Sequence, residues 1–183
     1  MADTGPPPLA TIAPADPMGM IALRGAQDTP AVAAAVQAAC GLDLPGQRQM
    51  LRDGARAVAW MAPDELLLIL PAGEVAAALK AGRAAAGDAF VTLADVSDAR
   101  AAFRIRGARA DEVVMKLCPV DIARLPQGEI RRTRAAQIAA ALWRSDAGEI
   151  TVVCFRSAAN YLQTLLETAA QPGGEVFVDP PRS

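Results

Sequence analysis

Apolar positions recur along this chain with two periods. In "RAAFRIR" (Arg100 to Arg106), Ala101, Phe103 and Ile105 alternate with Ala102, Arg104 and Arg106. A period of two predicts a strand with one face inside and the other in water or against a partner. In "ARADEVVMKLC" the apolar residues Val113, Val114 and Leu117 fall on one helical face, and Pro119 stops the helix. Gly107 turns the chain between the two. Earlier, "GMIALRG" reads as a short strand. "TPAVAAAVQAACG" reads as a helix with Thr29 as N-cap, Pro30 at the first helical position and Gly41 at the stop. "LPGQRQMLRDG" reads as a loop.

Two apolar runs, Ala57 to Met61 and Leu66 to Leu70, flank the turn sequence Pro63-Asp64-Glu65 and predict a hairpin. "GEVAAALKAGRAAAG" predicts a helix ending near Gly87, and "AFVTLADVS" is a third extended run. Farther on, Ile138 to Trp143 and Ile150 to Phe155 predict a second hairpin about a turn at residues 145–148. A last helix follows with Ser157 as N-cap and with Tyr161, Leu162, Leu165 and Leu166 on one face. "EVFVD" reads as a final strand. A strand–turn–strand–helix unit therefore recurs at about residues 57–86, 89–118 and 136–170. The fold class this implies is α+β, with helices covering antiparallel sheets. A doubly wound parallel sheet needs single strands alternating with helices, and that order is absent from the sequence. The expected organisation is a flexible Pro-rich arm over residues 1–18 and a single α+β domain over 19–179. The arm rests on Pro6-Pro7-Pro8 and Pro14.

Composition sharpens this picture. Of 183 residues, 52% are hydrophobic but only 4% aromatic, so Ala, Leu and Val must fill the core. Alanine buries little area, so the core is expected to be modest and a partner surface to matter. The formal net charge is -2, without the basic excess of a nucleic-acid binder. Local basic runs stand at Arg131-Arg132-Thr133-Arg134 and between Arg100 and Arg109. Arg104, Arg106 and Arg109 have two readings, an anion clamp or an outward face. The chain has no histidine, which removes the commonest general base and metal ligand. Cys40, Cys118 and Cys154 have neither zinc nor redox spacing and suggest reduced thiols in the cytoplasm. Cys118 is a nucleophile candidate with no assignable base.

Motif tests for phosphate-binding, dinucleotide-binding and serine-elbow loops all fail. Two of the acidic residues Asp64, Glu65, Asp95, Asp98, Asp111, Glu112 and Asp121 could share a site as an acid/base pair; the competing readings are structural: turns, a helix's first turn, or a local cap. Arg156-Ser157 is an anion candidate beside a helix start or a plain cap. No residue is assigned a catalytic, cofactor-binding or metal-binding role. The N-terminal stretch lacks the basic start and apolar run of a signal peptide, and no 18-residue apolar window predicts a membrane span.

Four segments carry a family likeness. "WMAPDELLLIL", "DVSDARAAFRIRG", "KLCPVDI" and "FRSAANYLQTLL" resemble, in order, W-L-x-P-D-E-W-L-L, D-x-S…R-I-x-G, x-C-P-L-D-L and R-S-F-A-x-Y-L. These belong to the gamma subunit family of heterotetrameric sarcosine oxidase. Leu66 and Ala158 stand where that family has aromatics. The family is related to folate-binding, aminomethyltransferase-like proteins, so the resemblance implies an aminomethyltransferase folate-domain-like fold. It also implies a non-catalytic gamma chain packed mainly on the alpha chain, with beta and delta as further partners. The complex would oxidise sarcosine to glycine, form hydrogen peroxide and pass the one-carbon unit to tetrahydrofolate. FAD, FMN, NAD and tetrahydrofolate are then expected in the partner chains, with none bound by this chain, and the compartment is the cytoplasm. A stand-alone folate-binding protein and a small interaction module are the competing readings.

Overall fold

The elements, in chain order, are β1 (Thr11–Pro14), β2 (Gly19–Arg24), α1 (Pro30–Cys40), β3 (Met50–Asp53), β4 (Arg56–Ala62), β5 (Glu65–Leu70), α2 (Val75–Ala86), β6 (Thr92–Asp95) and β7 (Arg100–Arg106). They continue with α3 (Ala110–Leu117), β8 (Ile130–Ala135), β9 (Ile138–Asp146), β10 (Glu149–Phe155) and α4 (Ala159–Ala169). They come from a computed structural model that describes residues 6–177. The fold class is α+β, with two antiparallel sheets and helices on them.

The chain divides into two compact units, one of residues 16–100 and 128–131, the other of residues up to 15, 101–127 and from 132 onward. Strand and helix periods carry no mark of such a division.

In the unit of residues 16–100 the sheet order is β3-β4-β5-β2-β6, antiparallel throughout. The hairpin β4–β5 turns at Pro63-Asp64, as its turn chemistry demands. All six positions of β5 are buried, so both faces of that strand are covered. On one face the core joins Ile21, Leu23, Val58, Leu66, Leu68 and Leu70 to Val32, Val36 and Val75 of the helices. The helices α1 and α2 pack side by side, and small residues permit it. A Cβ on Gly82 of α2 would lie 2.7 Å from Leu93 and 3.3 Å from both the Ala35 carbonyl and the Ala39 methyl of α1. Glu65 is not a turn residue but opens β5 and is buried. Its carboxylate accepts from Arg24 at 2.9 Å and faces Arg100 at 3.6 Å.

In the other unit the order is β1-β7-β10-β9-β8. The alternation in β7 buries Ala101, Phe103 and Ile105 as expected. They meet Leu142 and Ile150 of the sheet, Val113 and Val114 of α3, and Leu162 and Leu166 of α4. Both units follow one plan: a strand, a helix, three strands and a helix. The outer strand beside β2 is β6, which follows α2; the outer strand beside β7 is β1, from the opposite end of the chain.

Several expectations are corrected. The N-terminal arm is not wholly unpaired: Thr11–Pro14 forms β1, antiparallel to β7 with Ile12 opposite Ile105. The loop of residues 44–54 contains β3, and the basic run Arg131 to Arg134 lies within β8. The proposed hairpin unit at 89–118 does not exist, because β6 and β7 belong to different sheets. Thr29 sits at the start of α1, but its hydroxyl donates to the Ala26 carbonyl instead of capping; Pro30 and the left-handed Gly41 hold the predicted places. Ser157 is not the N-cap of α4: a 3-10 turn spans Arg156–Ala158 and the helix starts at Ala159. Tyr161 is exposed on α4 whereas Leu162 and Leu166 are buried. Residues 175–177 of "EVFVD" are not a strand, and residues 178 and 179 lie outside the described residues.

Candidate functional site

The segment from Asp95 to Ile122 holds most of the chain's charged side chains singled out by sequence, and internal partners take them up one by one. At the end of β6 the Asp95 carboxylate accepts from the Ser97 hydroxyl at 2.6 Å and its backbone N–H at 2.9 Å. The hydroxyl hydrogen bond, then the backbone one, hold the Asp95 carboxyl below the usual range. Ser97 Oγ in turn accepts from the Met20 N–H at 2.9 Å, which fastens β2 to the end of β6. This is a turn lock, not an acid/base pair.

Arg104 and Arg106 project from β7 toward one carboxylate, Glu149 at the start of β10. Arg109 turns the other way. Its guanidinium donates to both oxygens of Glu112, at 2.6 and 2.9 Å, and to the Phe177 carbonyl at 2.5 Å. The three arginines therefore do not form a single clamp. Arg106 and Arg109 line a hollow of about 470 Å³ with Gly107, Leu9, Ala10 and Glu175. Glu112 is fully buried, and it also accepts from the Phe177 N–H at 2.8 Å. The Arg109 hydrogen bonds lower its pKa and outweigh the desolvation that opposes them. The segment 175–177 is thus buckled onto the first turn of α3.

One residue that sequence reasoning passed over organises the rest. Arg144 of β9 grips Asp111 of α3 with two hydrogen bonds, at 2.9 and 2.6 Å. It also donates to the carbonyls of Ile122 at 2.7 Å and Leu125 at 2.8 Å. The available signal was an arginine directly after the apolar run Ile138 to Trp143 and still within the strand, where a half-buried charge must be met. Asp121 does not cap the following 3-10 turn and instead lies 3.5 Å from Arg124. Arg131 pairs with Glu129, and Arg134 donates to the Gln137 carbonyl at 3.2 Å. All three cysteines are buried. Burial pushes the Cys118 thiol up to about 11 and raises Cys40 as well, so neither is a thiolate at neutral pH.

Among the described residues, no group of three or more Cys, Asp or Glu side chains is placed to hold a metal ion. No helix among them is long and apolar enough to cross a membrane. The exposed large apolar side chains are Phe90, Phe155, Tyr161, Val176 and Phe177.

Residues 24–171 match the model of the sarcosine oxidase gamma subunit family. This chain belongs to that family. It is 35% identical over 142 residues to the sarcosine oxidase subunit gamma of Corynebacterium sp. (strain P-1), a match covering 75% of this chain and 66% of that relative. It is 35% identical over 146 residues to the subunit gamma of Arthrobacter sp, with the same coverage of each. The match thus spans just under two thirds of these relatives' own length. Among solved structures, the fold is similar to a chain of the heterotetrameric sarcosine oxidase from Corynebacterium sp. U-96 in complex with pyrrole 2-carboxylate. That match has a TM-score of 0.82 and 25% identity, and covers 93% of this chain and 88% of that one. A likeness in fold alone extends to the glycine cleavage system aminomethyltransferase T from Bartonella henselae. Its TM-score is 0.65 at 17% identity, over 86% of this chain and 45% of that one. The four motifs read from sequence all fall inside the matched region.

Proposed function

We propose that this chain is the gamma subunit of a heterotetrameric sarcosine oxidase complex, in which it supplies structure and no catalytic side chain. The complex oxidises the N-methyl group of sarcosine, releases glycine and passes the one-carbon unit to tetrahydrofolate. FAD, FMN, NAD and tetrahydrofolate belong to the alpha, beta and delta partners, chiefly alpha as the chain on which gamma packs, and the complex works in the cytoplasm. The observation that carries this reading is the family match over residues 24–171, joined to the fold likeness to a chain of a heterotetrameric sarcosine oxidase. The internal use of the charged groups agrees with it: Arg109, Arg144 and Arg106 are held by Glu112, Asp111 and Glu149. The aminomethyltransferase likeness is one of fold.

Co-expression tests the role. The three partner chains are produced with and without this chain, and sarcosine oxidation is measured in the purified product. Without it, recovery of active complex should fall roughly tenfold or more, since a subunit stabilises only the folded partner that binds it. Full activity in its absence would refute the subunit role.

A further inference from the structure

Phe90 is the one large apolar side chain among the described residues that is wholly exposed, at 101% of its reference area. It stands in the five-residue loop between α2 and β6, and that loop is fixed. Gly87, in the left-handed region at φ +58°, donates to the Arg83 carbonyl at 3.2 Å. Ala89 donates to Ala86 at 3.2 Å, and Val91 donates to Ala89 at 2.7 Å. Val91 packs into the core beneath, so its neighbour Phe90 is aimed outward by the backbone rather than left loose. The backbone that carries Phe90 is thus ordered before any partner arrives, which lowers the cost of using the ring as an anchor at an interface.

The two helices beside it are charge-poor, and their charges are of one sign. A Cβ built on Gly25 would lie 2.9 Å from Val32 of α1 and 3.3 Å from Val91, so the loop lies beside the first turn of α1. The exposed positions of α1 are Pro30, Ala33, Ala34, Gln37 and Ala38, and that helix has no charged residue. The only charges of α2 are Lys80 and Arg83, both cationic, in a chain of net charge -2. Asp28 precedes α1, and Asp88 lies in the Phe90 loop itself, two residues from Phe90. Helices of 11 and 12 residues side by side form a layer about 17 Å long and 20 Å wide. With about 200 Å² from the phenyl ring, this reaches a large part of the ~800 Å² per side that a stable complex uses.

We infer that the α1–α2 layer and Phe90 form the docking face of this chain for a larger subunit of the oxidase. That subunit would receive the phenyl ring in an apolar pocket and set carboxylates opposite Lys80 and Arg83. The inference rests on the subunit reading above and adds to it the face and the anchor.

The test uses the full chain and its co-expressed partner subunits, with affinity measured by surface capture. Phe90→Asp and Phe90→Ala should each bind roughly 30-fold or more weaker than the natural chain, with unchanged melting temperature because the side chain packs on nothing. Lys80→Glu should slow association most at low salt, where charge steering is strongest. Tyr161→Asp, in the other unit, should bind as the natural chain does. If the natural chain captures no subunit, the subunit reading fails and this face with it. If it captures them and both Phe90 variants bind within about threefold of it, the face alone is wrong.

Discussion

Replacing Glu112 by Gln is expected to lower the melting temperature by about 6–12 °C, the cost of roughly 3 kcal/mol for opening one side of a buried ion pair in a chain of this size. Glu112 is fully inaccessible, and its two oxygens hold both Arg109 and the Phe177 N–H. Glutamine keeps the shape but presents an NH₂ group to a guanidinium or an N–H, so at least one buried donor is left facing another. The pH dependence distinguishes this from a packing defect. The folded carboxyl is held below its ordinary value of 4.5, so folding favours the ionised form. The stabilisation is complete above that value and fades as pH falls below it. The gap between the natural chain and Glu112→Gln should therefore be full at pH 7 and shrink below about 4.5. Thermal melts followed by circular dichroism at both pH values decide it. A gap constant with pH would remove the ion pair from the account.

Arg144→Met should cost about 2–4 kcal/mol, because it strips Asp111 of two hydrogen bonds and two backbone carbonyls of one each. Arg144 is mostly buried, with 18% of its side chain exposed against 26% for Asp111, so solvent replaces only part of what is lost. The arginine joins β9 to α3 and to the 3-10 turn that follows "KLCPVD". Its loss should therefore loosen that motif as well as the helix. Asp111→Asn alone should cost less, since the carbonyl contacts remain. The double variant should fall short of the sum by more than about 1 kcal/mol, as groups sharing one network do. Urea melts of the four proteins test the coupling, and strict additivity would contradict it.

How much of this was legible depends on whether a contact is local. The hairpin β4–β5, the helix α1 with Pro30 and Gly41, and the alternation of β7 are written in neighbouring residues, and they stand where the pattern put them. The strands that escaped notice, β1, β3 and β8, are short and carry few apolar residues. All three are outer strands of their sheets. An outer strand buries little, so arginines in β8 and prolines around β1 are tolerated there and the period fades. The false hairpin at 89–118 has the same cause in reverse: β6 pairs with β2 and β7 with β1, partners far away in sequence that no local signal announces. Arg144 was legible only as an oddity, because its meaning lies in Asp111, 33 residues away. Phe90 read as one residue in an extended run, and only the loop geometry turns it outward.

The central claim is that this chain works as a subunit of a sarcosine-oxidising complex. Its most direct test is an affinity pull-down from the native cell, with mass spectrometry of the eluted chains and a visible absorption spectrum. The account predicts a yellow eluate with flavin bands, containing alpha, beta and delta chains and oxidising sarcosine. A colourless eluate containing this chain alone would contradict it.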